Sequence, residues 1–183
     1  MDAIVDASSL IVLAKQNVLG LLGQIFQQVY ITPQVHAETV IAGTARGYAD
    51  AGKIEQAIQD GRLRLLKPRV VENRLAKSIE QRTPTLSYSD CLTLACAKLR
   101  GLTLVMEEQR GRREAVTLGI TYMTLQVLPL HAYLIEKMSF AECDSLLTNI
   151  AHVMHTDQAV LTVLRTAAQE IERLRSGRGE TRK

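Results

Sequence analysis

Short apolar runs rich in Val, Ile and Leu recur along the chain, with helix-length amphipathic stretches between them. The runs are Ala3-Ile4-Val5, Val29-Tyr30-Ile31, Leu63-Arg64-Leu65-Leu66, Leu102-Thr103-Leu104-Val105-Met106 and Ile120-Thr121-Tyr122-Met123. Their length and content predict strands buried on both faces. Between them, PQVHAETVIAG carries Pro33 where a first helical turn tolerates it, and YADAGKIEQAIQDG ends on Gly61 as a helix C-cap does. The alternation predicts a three-layer α/β/α sandwich around a mostly parallel central sheet.

Beyond Met123 the strand signals stop. LQVLPLHAYLIEKM, SFAECDSLLTNIAHVMH and TDQAVLTVLRTAAQEIERL all read as helices. Ser139 followed three residues later by Glu142 is a capping-box pattern, and Thr156 or Asp157 is placed to cap the last helix. The expected organisation is a domain over residues 1–130, C-terminal helices over 131–175 packed on the same domain, and a flexible basic tail over 176–183. No internal repeat or low-complexity segment is visible.

Composition narrows this further. A chain of 183 residues supports one substantial core and hardly two enzymatic domains. Aromatic residues are 4% of the chain and Trp is absent, so aliphatic packing dominates. No stretch reaches the roughly 18 apolar residues that span a bilayer. The N-terminus also lacks a basic region followed by an apolar signal core, so a cytoplasmic protein without membrane association is expected. Cys91, Cys96 and Cys143 show no C-x-x-C spacing and read as small buried hydrophobes. The formal net charge of +3 permits nucleic-acid binding without demanding it. Arginines cluster at Arg110, Arg112 and Arg113, where they are candidate phosphate contacts. A second basic group, Arg173, Arg175, Arg178, Arg182 and Lys183, reads more simply as a solvated helix end and tail.

The acids carry the chemistry. Asp6 and Glu38 are the only acids between Ala3 and Asp50, and Asp90 is the only one between Glu80 and Glu107. In a parallel α/β sheet, ligands collect at the carboxyl ends of strands. Asp6 follows the first strand and the pair Glu107-Glu108 follows the fourth. Asp90 opens the helix before that strand, and Glu38 lies on the helix after the second. Singly, each has a simpler explanation: Asp6 as a helix cap, Asp90 as a first-turn acid facing a helix dipole, Glu38 as a solvated helix residue. Gathered in one cleft, they would raise one another's pKa unless a cation offset the charge. Mg²⁺ or Mn²⁺, which prefer oxygen ligands, answer that need and point to phosphoryl chemistry. The arginines after the Glu pair, with Gly111 for close backbone approach, would let a polyanionic backbone lie over the acids. No G-x-x-x-x-G-K or G-x-G-x-x-G motif is present, which disfavours nucleotide-cofactor chemistry. His36 stands two residues from Glu38 and so faces another direction on a helix. It reads as a surface or packing residue. His152 and His155 lack a third ligand.

Taken together, IVDASSLIVLAK, ITPQVHAETV, LSYSDCLTLACAKLRGLTLVMEEQRGRREAVTLGI and TYMTL resemble the PIN domain over about residues 1 to 130. More narrowly they resemble the VapC-type ribonuclease toxins and their relatives. The resemblance implies a site in which Asp6 is the first acid, supported by the Ser8 hydroxyl, with Glu38 and Asp90 as the helix acids. The last acid is usually Asp in the family; here Glu107 and Glu108 stand instead, and the T/S-x-D register favours Glu108. The implied activity is metal-dependent endonucleolytic cleavage of RNA, leaving a 5′-phosphate and a 3′-hydroxyl. In that scheme Asp6, Asp90 and Glu107 or Glu108 bind Mg²⁺ or Mn²⁺, Glu38 orients the attacking water, and Arg110, Arg112 and Arg113 hold the RNA. The resemblance also implies an antitoxin protein as partner and a homodimer. The Asp-to-Glu change leaves an alternative, a catalytically weakened PIN-fold scaffold that binds RNA or protein. A phosphatase of the aspartyl-nucleophile type would need Asp at position 8, where Ser8 stands.

Overall fold

The computed structural model describes residues 1–180, with side chains through residue 176. It divides into two compact units, Met1–Thr124 and Leu125–Lys183. The first unit contains β1 (Ala3–Val5), β2 (Val29–Ile31), β3 (Arg64–Leu65), β4 (Thr103–Val105) and β5 (Tyr122–Met123). They form one sheet in the order β3-β2-β1-β4-β5, and every pairing is parallel. The apolar runs overreach these ladders by a residue or so. Leu63, Leu66, Leu102, Met106 and Ile120 are buried as core contacts beyond the strand ends, and burial, not ladder pairing, is what hydropathy reports.

Helices fill each crossover, as parallel strands require. α1 (Ala7–Lys15) and α2 (Gly20–Ile25) connect β1 to β2. α3 (Pro33–His36), a π-helical turn (Ala37–Ile41), α4 (Ala42–Ala45) and α5 (Ala49–Gln59) lead to β3. α6 (Val70–Arg82) and α7 (Tyr88–Arg100) return the chain to β4, and α8 (Gln109–Thr117) leads to β5. The sheet grows outward from β1 to β3, then reverses to add β4 on the other flank of β1. That reversal opens a crevice beyond the carboxyl ends of β1 and β4. The register Val5↔Val105 keeps the two ends level, and the Asp6 N–H donates to the Val105 carbonyl at 3.1 Å. The first acid is thus tied to the strand that delivers the last.

α7 is the central helix of the core. Cys91, Leu92, Leu94, Ala95 and Cys96 on it have no exposed surface and pack with Ile4, Leu104, Met106, Ala76 and Ile79. Gly101 ends the helix in the left-handed region at φ 64°, its N–H donating to the Ala97 carbonyl, the backbone state glycine adopts most cheaply. Beside it, Arg100 Nε lies 2.6 Å from Oε1 of Glu72, whose side chain is fully buried. Arg100 Nη2 reaches the other oxygen at 2.8 Å, so this bidentate pair clamps the start of α6 to the end of α7.

The second unit contains a 3₁₀ turn (Leu125–Val127), α9 (Leu128–Leu134), α10 (Phe140–Val153) and α11 (Gln158–Glu180). It has a core of its own around Tyr133, Cys143, Leu147, Leu161 and Ala168. The expected capping box is present: the Ser139 N–H donates to Glu142 Oε2 at 2.8 Å and the Glu142 N–H to Ser139 Oγ at 3.3 Å. Of the two candidate caps for α11, Asp157 does the work, accepting from the Ala159 N–H at 2.7 Å. α11 runs to Glu180; residues 181–183 of the expected tail, with Arg182 and Lys183, lie outside the described residues. Among the described residues, no helix is long and apolar enough to cross a membrane.

Candidate active site

Asp6 leaves β1 in extended conformation, φ −77° and ψ 166°, which is N-cap geometry for α1. Its Oδ1 accepts from the Ser9 N–H at 2.8 Å and its Oδ2 from the Ser8 hydroxyl at 3.0 Å. The capping explanation holds, and the same carboxylate stands at the end of β1 beside the end of β4. Asp6 is 1% exposed. Burial pushes its carboxyl above the ordinary value, bonds from Ser9 and Ser8 pull it back, and the charge of Asp90 pushes it up again.

Asp90 lies in the first turn of α7, where Ser87 is the N-cap. The Asp90 N–H donates to Ser87 Oγ at 3.1 Å, and the Ser87 hydroxyl donates to Asp90 Oδ2 at 2.7 Å. Glu38 stands in the π-helical turn that interrupts the α3–α4 run. Such turns add a residue to a helix and recur at functional sites because they re-aim a side chain. Partial burial pushes the Glu38 carboxyl up, the Ser89 hydroxyl beside it opposes that shift, and the charges of Asp90 and Asp6 add to it. Asp6, Glu38 and Asp90 are therefore electrostatic neighbours although they come from separate crossovers.

Glu108 is the N-cap of α8, its Oε1 accepting from the Arg110 N–H at 3.2 Å. A cleft of about 660 Å³ is lined by Ser8, Glu38, Ser87, Asp90, Glu108 and Arg110, with Ala7, Thr85, Leu86 and Gln109 completing it. Asp6 is outside the lining and is joined to it by the hydrogen bond from Ser8. Of the late pair, Glu108 is in the cleft lining, whereas Glu107 Oε2 lies 3.7 Å from Arg112 Nη1, which also donates to the Glu107 carbonyl. Of the three arginines, Arg110 lines the cleft, Arg112 is engaged by Glu107, and Arg113 is exposed outside the lining.

Gly111 corrects an expectation. It is buried against Met106, and a Cβ there would overlap the Met106 thioether. Its small size serves the packing of α8 on the end of β4 and not the approach of a ligand. His36 Nε2 lies 3.5 Å from Glu55 Oε2 on α5 and is not among the cleft-lining residues. Burial pushes the Cys91, Cys96 and Cys143 thiols up to about 11, about 12 and about 11, which suits inert core residues. A second cavity, about 420 Å³, is lined by Ala14, Lys53, Gln56 and Arg62 among others and by no carboxylate.

The donor set in the cleft is all oxygen, without thiolate or imidazole, which suits a hard divalent cation. Among the described residues, no three His, Cys, Asp or Glu side chains are gathered closely enough to grip a bare ion. The fit is therefore to an ion that keeps much of its water and takes one or two carboxylates directly, the habit of Mg²⁺.

The sequence matches the model of the DUF3368 family, described as a PIN domain, over residues 2–141. The chain belongs to the PIN-domain family. PIN domains are generally nucleases that bind Mg²⁺, and the cleft of this PIN domain holds its acids where the sheet order reverses. No curated protein matches the sequence.

Sequence reasoning overlooked Ser87, Ser89, Thr85 and Leu86, which shape the Asp90 side of this PIN domain. Ser87 was detectable, since Ser-x-x-Asp before an apolar run is a capping-box pattern. Ser89 carried no local signal, because its role depends on where the π-helical turn brings Glu38.

Proposed function

We propose that this PIN domain is a metal-dependent endoribonuclease, and the observation that carries the reading is that Glu38, Asp90 and Glu108 line one cleft, with Asp6 an electrostatic neighbour of Glu38 and Asp90. They come from four separate chain segments; burial above all, and the charge of neighbouring acids in addition, raises the carboxyls of Asp6 and Glu38, and a cation would offset both costs. A bound Mg²⁺ or Mn²⁺ supplies Lewis-acid stabilisation of charge developing on the phosphodiester. Asp6, Asp90 and Glu108 would hold it, one or two of them directly and the rest through its waters, with the Ser8 hydroxyl fixing the Asp6 carboxylate. Glu38 would orient the attacking water and take its proton as the water oxygen bonds to phosphorus and the bond from phosphorus to the 3′ oxygen breaks, the departing 3′ oxygen taking a proton from solvent. The products are a 5′-phosphate and a 3′-hydroxyl. Arg110 at the cleft edge meets the RNA backbone by charge, and Arg112 and Arg113 on the same helix extend that basic surface.

The test is RNA cleavage with Mg²⁺ or Mn²⁺, with the cut ends mapped. Asp6→Asn and Asp90→Asn should each abolish metal-dependent cutting. Full activity in both variants would sink the proposal. We further assign the protein to the toxin half of a toxin–antitoxin pair, acting in the cytoplasm and restrained by an antitoxin protein. Expressed alone it should arrest growth, and Asp6→Asn should relieve the arrest.

One observation favours a second reading. The described acids do not close into a three-ligand cluster, and Glu stands at the last position. A PIN-fold scaffold with weakened catalysis, binding RNA or protein, would look the same. Calorimetry with Mn²⁺ separates the two, because the nuclease binds the ion at the cleft and the scaffold does not.

A further inference from the structure

Two facing walls of the cleft come from different helices, and Ala7, Ser8 and Glu38 complete the lining. One wall is the Thr85–Ser87 loop and the first turn of α7 with Asp90; the other is the start of α8 with Glu108 and Arg110. Beyond their shared core, a polar side chain links them. Glu114, on α8 and with a side chain only 11% exposed, accepts from Arg82 Nη2 at 2.6 Å through Oε1. Its Oε2 lies 3.5 Å from the Thr83 hydroxyl. Arg82 is the last residue of α6 and Thr83 its C-cap, so both partners stand at the base of the loop that forms the opposite wall.

That loop transmits position. The Leu86 N–H donates to the Thr83 carbonyl at 3.0 Å, closing a turn with Pro84 inside it, and Leu86 is 5% exposed. Ser87 follows at once and engages Asp90 on both its amide and its carboxylate. From Glu114 to Asp90 the chain of contacts contains no long unbonded segment. We infer that Glu114 is a positioning residue: through Arg82 and Thr83 it sets the separation of Asp90 from Glu108, and thereby the cleft width presented to the scissile phosphate.

The activity arm of this inference rests on the nuclease reading; the geometric arm does not. Glu114→Gln keeps the shape of the side chain and removes its charge, while Glu114→Arg with Arg82→Glu swaps the two charges. Two measurements are made on the full chain: kcat and KM for Mg²⁺-dependent cleavage of a model RNA, and amide hydrogen exchange at Leu86 and Asp90. Glu114→Gln should lower kcat about tenfold with KM little changed, since small misplacement of reacting groups costs rate more than affinity. It should also speed exchange at Leu86 and Asp90. The charge-swapped protein should recover both, which a merely structural loss would not do. Unchanged exchange in Glu114→Gln, or a swapped protein no better than either single reversal, overturns the inference. A native chain that cuts no RNA overturns the nuclease reading instead, and the exchange result then decides the tie by itself.

Discussion

The bidentate pair between Glu72 and Arg100 allows a demanding test of how this fold is held. Glu72→Gln keeps the size and shape of a fully buried side chain and removes its charge. Arg100 would then lose a charged acceptor at 2.6 and 2.8 Å while keeping its bond to the Lys67 carbonyl at 2.8 Å. Breaking a buried pair from one side costs about 3–5 kcal/mol, because the remaining charge is left uncompensated. The Arg100 side chain is 21% exposed and regains some hydration, so the lower end, about 3 kcal/mol, is expected. For a chain of this size that corresponds to a fall in Tm of roughly 6–12 °C. The pH dependence follows in sign. The Arg100 guanidinium, first among the causes, holds the Glu72 carboxyl below its ordinary 4.5. A lowered carboxyl contributes stability that is complete above the ordinary value and is lost as pH falls through the folded one. Urea unfolding followed by far-UV circular dichroism, from neutral pH down into this acid window, measures both effects. The native protein should weaken there, and the Gln variant should lose that component of its slope. A destabilisation under about 1 kcal/mol, or identical pH profiles, would refute the view that this pair clamps α6 to α7.

Other outcomes follow from single sites. Gly101→Ala forces a Cβ into the left-handed region at φ 64° and should cost about 1–2 kcal/mol, read as a lower urea midpoint with unchanged m-value. Cys91, Cys96 and Cys143, buried with thiols pushed up to about 11, 12 and 11, should resist a thiol reagent at pH 8 until denaturant is added; labelling at the rate of a free thiol in the native state would contradict their burial. Asp90→Asn removes one charge that raises both Asp6 and Glu38, so NMR titration should find both carboxyls moved back toward ordinary values. No movement in either would mean the acids are not neighbours.

The sandwich was legible because hydrophobic periodicity reports burial, and each of the five apolar runs contains a strand of the observed sheet. Caps were legible for a similar reason: Ser139 with Glu142, Asp157 before α11 and Pro33 opening α3 act through bonds spanning a few residues. Their signals are therefore local. The isolation of Asp6, Glu38 and Asp90 in apolar sequence also marked them for attention, since a charge kept in such company has a partner or a task. What no local pattern could state was the strand order β3-β2-β1-β4-β5. Pairing across long separations depends on how crossover helices cover the two sheet faces, and only that order brings the end of β1 beside the end of β4. For the late pair the register already favoured Glu108, and the packing adds a reason: adjacent residues at a helix start face different ways, and Arg112 draws Glu107 while Glu108 lines the cleft. Gly111 shows the same limit from the opposite side. Its sequence context beside arginines suggested a ligand, yet its reason is the thioether of Met106, which only the packing of α8 on the end of β4 brings into contact.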